Sequence, residues 1–116
     1  MSKPIPHLDQ AVVPVTRIAD YLLSQNHPIG RAKAEFFMGS GFAQENPQAM
    51  IDAIITHAKT NGAYGKPSPY GLKYIVKGFM DTPARGPVMV CSIWMIETGG
   101  TAPAFVTAYP IKRDKA

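Results

Sequence analysis

Asn46-Pro47-Gln48-Ala49-Met50-Ile51-Asp52-Ala53-Ile54-Ile55-Thr56-His57-Ala58-Lys59-Thr60-Asn61-Gly62 decides the fold, because the chain reads as helical up to this stretch and as extended after it. Asn46 and Pro47 make a cap-plus-proline start, since proline lacks an N–H that would have no partner in a first turn. Met50, Ile51, Ile54, Ile55 and Ala58 keep helical period, and Asn61-Gly62 stops the run. His57 flanks that apolar stripe and reads as boundary packing. Residues 63–69 then read as a Gly/Pro/Ser loop, the best candidate for a mobile segment. Beyond it Tyr70, Leu72, Tyr74 and Val76 alternate with Lys73, Ile75 and Lys77, the period of a half-buried strand.

Toward the N-terminus the same punctuation recurs twice. Asn26-His27-Pro28-Ile29-Gly30 opens a helix that runs to about Ser40, with Ile29, Ala32, Phe36 and Phe37 on its inner side and Gly39-Ser40-Gly41 at its end. Thr16 caps a shorter helix over residues 17–24, where Ile18 and Leu22 share a face. Residues 1–15, with Pro4, Pro6 and Pro14, form an extended arm. Toward the C-terminus residues 81–87, with two prolines, a glycine and Arg85, connect to an all-apolar strand over 88–96 that belongs in the middle of a sheet. Thr98-Gly99-Gly100-Thr101 turns the chain into a last strand over 104–109, which Pro110 ends. The expected fold is α+β: three N-terminal helices followed by an antiparallel β-meander, with the helices packed on one face. One domain, residues 16–110, lies between the arm and a basic tail over 111–116.

Composition narrows the function classes. A chain of 116 residues that is 46% hydrophobic and 17% charged is globular, and its net charge of +4 is compatible with nucleic acid. Met1 to Gln10 offers no apolar run for a secretory signal and no run approaches a membrane span, so a soluble, cytoplasmic protein without membrane attachment is expected. The single cysteine, Cys91, fits a reducing compartment and reads as a buried thiol. Three scattered histidines and one cysteine give no metal motif, and no phosphate-binding loop, dinucleotide fingerprint or nucleophile elbow is present, so neither metal nor cofactor is expected.

His27 and its neighbouring cations remain. A histidine can move a proton near neutral pH, and Lys or Arg can hold a phosphate or stabilise developing charge. Gly30 bares the backbone N–H groups of a helix start to an anion. Those parts suffice for metal-independent RNA cleavage with a neighbouring 2′-hydroxyl as nucleophile. The structural alternatives stay open: His27 as a helix cap, Gly30 as a packing contact, Lys33 as a stem covering apolar surface. Arg31 points away from the apolar stripe, toward solvent or a phosphate. Lys73 and Lys77 share a strand face and can form a basic strip with aromatic neighbours. Thr107 and Tyr109 present a hydroxyl and a phenol on one side of the last strand. Trp94 reads as core.

Taken together, Tyr21-Leu22-Leu23, Asn26-His27-Pro28, Gly30, Lys33-Ala34, Phe36-Phe37, Gly41-Phe42, Tyr70-Gly71, Lys73-Tyr74 and Val106-Thr107-Ala108-Tyr109-Pro110 resemble a small bacterial domain family without assigned function. Members of that family look like stand-alone proteins or tails of polymorphic-toxin-type proteins. Helices followed by a sheet ending in Thr-x-Tyr are also similar to the barnase, EndoU, colicin and RelE group of ribonuclease toxins. In EndoU-like members a Ser/Thr-x-Tyr pair helps to bind base or phosphate, and Thr107 and Tyr109 match it. Those enzymes use two histidines and a lysine, whereas only His27 here has such a setting. The resemblance implies a toxin-like endoribonuclease or RNA-binding domain. His27 would be general acid or base, Lys33 would stabilise the phosphorane and Thr107 would position a phosphate oxygen, while Gly30, Arg31, Lys73 and Tyr109 would hold the RNA. Its partners would be RNA and a cognate inhibitor or other protein. The alternative is a non-catalytic protein-binding module: an inhibitor, an immunity-type protein or a phage-encoded protein that blocks a partner.

Overall fold

A computed structural model describes residues 4–18, 31–43 and 45–111, without the side chains of residues 17 and 31–34. Four strands, β1 (Ala63–Ser68), β2 (Gly71–Thr82), β3 (Gly86–Glu97) and β4 (Ala104–Pro110), form one antiparallel sheet in sequence order. Among the described residues two helices exceed a single turn, α1 (Arg31–Gly39) and α2 (Pro47–Thr60). The α+β class with helices on one sheet face is as expected, and of the three predicted helices the described residues show two longer than a turn. The predicted helix over 17–24 begins as one turn, Val15–Arg17, capped by Pro14, with Thr16 inside the turn instead of before it. Residues 19–24 lie outside the described residues, as does the predicted start of α1.

Each helix ends where its glycine or asparagine allows. Gly41, at φ +104°, takes the left-handed position after α1, with Gly41 N–H on the Met38 carbonyl and Phe42 N–H on the Phe37 carbonyl. Asn61 closes α2 by donating from Nδ2 to the His57 carbonyl at 2.9 Å and to the Phe79 carbonyl at 3.2 Å, which ties the helix end to β2. A side chain at Gly78 would overlap that Asn61 carboxamide, so the glycine is what lets α2 lie down on the strand.

The segment over 63–69, predicted as a mobile loop, is instead the edge strand β1. Gly65 and Pro67 look like strand breakers, yet an edge strand tolerates both. The Tyr74 ring of β2 covers Gly65, leaving 3.1 Å between its Cε1 and the place of a Cβ. Tyr70, predicted in a strand, sits in the two-residue turn to β2 and is exposed. The connector over 81–87 shrinks to Pro83-Ala84-Arg85, and Gly86, at φ +66°, takes the left-handed conformation where the chain enters β3. That hairpin clasps the end of α1: Ala84 N–H donates to the Ser40 carbonyl at 2.8 Å, and the Arg85 guanidinium lies 5.3 Å from the Phe36 ring centre.

The core lies between the helices and one sheet face. Phe37, Met50, Ile54 and Ala58 from the helices meet Val76, Met80, Val90, Trp94, Phe105 and Ala108 from the sheet. His57, read from sequence as boundary packing, is fully inside this core. Its Nε2 lies 3.2 Å from the Gly78 carbonyl and 3.0 Å from the Val90 carbonyl, and its Nδ1 lies 3.0 Å from Ser92 Oγ. The arm is packed as well: Ile5 is buried, and Val12 bridges β4 through the Pro103 carbonyl and the Phe105 N–H.

Candidate nucleic-acid interface

Alternation along the strands separates two sheet faces. Even-numbered residues of β2 from Tyr74 to Met80 and of β3 from Val88 to Ile96 face the core on the helix side, so odd-numbered residues point the other way. Cross-strand partners on this second face fall into rows. Lys66 of β1 opposes Lys73 of β2, which opposes Met95 of β3. The next row runs Tyr64, Ile75, Ile93, Thr107, and the next Lys77, Cys91, Tyr109. Three lysines, two tyrosines and a threonine thus frame a strip of half-buried isoleucine and methionine. Asp81 and Glu97 lie at the two ends of the face, in the terminal rows.

A bulge sets the composition of this face. The β3–β4 register slips between Ile93 and Trp94, so Phe105 pairs with Trp94 in the core while Thr107 pairs with Ile93 on the opposite face. Without the extra residue, Val106, positions 105 and 107 would share a side. The core ring pair is well formed, with Trp94 and Phe105 edge-to-face at 5.5 Å. Tyr109 is held above its ordinary value of 10.0, first by a hydrogen bond with the Cys91 side chain and then by partial burial. It is therefore a neutral phenol, able to donate or accept, at physiological pH.

Lys73, Thr107 and Tyr109 share this face, and Thr107 and Tyr109 each have interaction partners. Arg31 and Lys33 belong to α1, and their side chains lie outside the described residues. His27 and Gly30 lie outside them altogether. Cys91 and Trp94 are buried as read. Tyr64 and Lys66 join the face although the sequence reading gave them no role. Their signal was a one-polar-one-glycine alternation inside a segment dominated by turn formers. Among the described residues no group of His, Cys, Asp and Glu could hold a metal ion, and no helix is long and apolar enough to cross a membrane.

The family model described as a domain of unknown function, DUF6883, matches residues 4–112, and the chain belongs to that family. No curated protein and no solved structure matches the chain.

Proposed function

We propose that this DUF6883 domain binds single-stranded RNA across the lysine-bearing face of its sheet. One observation carries the reading: Lys66 and Lys73 stand directly opposite each other on neighbouring strands. Like charges in that position repel and weaken the sheet, and a bound polyanion removes the repulsion. Lys77, Thr107 and Tyr109 extend the same face with donors for phosphate and sugar oxygens. Half-buried apolar residues between them suit unpaired bases better than a duplex, whose bases are turned inward.

Catalysis is the second reading, and the placement of Thr107 and Tyr109 together on the lysine face favours it. In a toxin-like, metal-independent endoribonuclease His27 would exchange the proton of the 2′-hydroxyl or the leaving oxygen, and Lys33 and Thr107 would meet the phosphate. Expression in bacteria without a protecting partner then arrests growth with loss of intact RNA, and His27→Ala relieves the arrest. Full growth together with RNA binding by the purified protein removes catalysis and leaves binding. Full growth without RNA binding turns the assignment to the protein-binding module.

A further inference from the structure

We propose that the depression between β1 and β2 on the lysine-bearing face seats one unpaired nucleobase, an inference that rests on the RNA-binding reading above. The depression encloses about 420 Å³ and is lined by Gly62, Tyr64, Ile75 and Lys77. That volume lies within the roughly 300–1,000 Å³ of small-molecule sites. Its walls suit a flat aromatic ring. Tyr64 leaves 67% of its surface in solvent on an edge strand, outside the core cluster. Gly62 has no side chain to close the end, and half-buried Ile75 gives an apolar floor.

The position of Tyr64 is fixed by its neighbours. Gly65 beneath the Tyr74 ring pins the middle of β1, so Tyr64 and Lys66 on either side both point to the second face. Charge then brackets the ring. Lys77 lies one row to one side of Tyr64–Ile75, and the Lys66–Lys73 pair lies one row to the other. Lys77 lies four residue steps along the strand from Lys73, about 13 Å at 3.3–3.4 Å per residue. A base on Tyr64 thus has a cation toward each of its flanking phosphates. An acidic peptide would satisfy the lysines but would leave the exposed ring and apolar floor without a planar partner.

The test uses the full chain and a fluorescein-labelled 12-residue oligoribonucleotide, with an abasic strand of equal length and inorganic polyphosphate as comparison probes. Tyr64→Ala should weaken RNA binding about five- to 150-fold, the loss of one stacked base, with the salt dependence unchanged. Tyr64→Phe should bind as the wild type, and neither substitution should alter binding of the abasic strand or polyphosphate. Far-UV circular dichroism checks that the variants fold. If Tyr64→Ala binds RNA like the wild type while Lys73→Ala is weakened, the base site is overturned and the RNA-binding reading stands. If the wild type binds polyphosphate as tightly as RNA, or binds neither, the RNA-binding reading fails and the base site falls with it.

Discussion

His57 satisfies every polar atom of its ring without leaving the core. With two backbone carbonyls facing Nε2, that nitrogen carries the hydrogen, and Nδ1 accepts from the Ser92 hydroxyl. Ser92 Oγ in turn accepts from Trp94 Nε1–H at 3.0 Å. A second ring proton would force Ser92 to give up its donor role in a buried site, and burial lowers the pKa from 6.5, opposed in part by the two carbonyls. The unfolded chain therefore takes its proton at a higher pH than the folded chain. Stability from His57 is full above about pH 6.5 and is lost as pH falls through that value toward the lowered folded one. Urea unfolding between pH 7.5 and 5.5 should show this loss, at most about 1.4 kcal/mol per pH unit, and His57→Gln should flatten it. Little of this was legible in the sequence. Trp94 and Cys91 announce burial by lying in an apolar run. The partners of His57 are carbonyls 21 and 33 residues away, which no local pattern encodes.

At the scale of elements, β1 decides what the sheet presents. Its sequence, Ala-Tyr-Gly-Lys-Pro-Ser, carries turn propensity, and tertiary pairing to β2 over six registered residues overrides it. Helix α2 was legible from its proline start and apolar period, and the described part of α1 from its apolar period and glycine stop. Strands β2 to β4 were legible from alternation and from the double-sided apolar run of β3. The bulge at Val106 was not, since it answers to the fit of Phe105 against Trp94. The Lys66–Lys73 pair gives a prediction at this scale. Lys66→Glu replaces a cross-strand repulsion by an attraction and should raise stability by about 0.2–1 kcal/mol while weakening RNA binding. Unfolding midpoints and anisotropy titrations on the same preparations check the two opposite signs, and a stability loss alongside the binding loss would place the effect in β1 itself.

For the whole molecule, a formal charge of +4 says little until the fold distributes it. The meander sends Lys66, Lys73 and Lys77 to the face that the described helices leave uncovered, together with Thr107 and Tyr109 from the far edge. Binding there releases counterions from RNA, so the affinity must fall as salt rises. The most direct measurement is anisotropy of a labelled single-stranded oligoribonucleotide at a series of potassium chloride concentrations, with wild type, Lys66→Ala, Lys73→Ala and the double variant. Each phosphate contact removed should lower the slope of log affinity against log salt by about 0.7, and the double variant by about twice that. A salt-sensitive complex whose slope is unchanged by both substitutions, or no complex at low salt, would contradict an RNA site on this face.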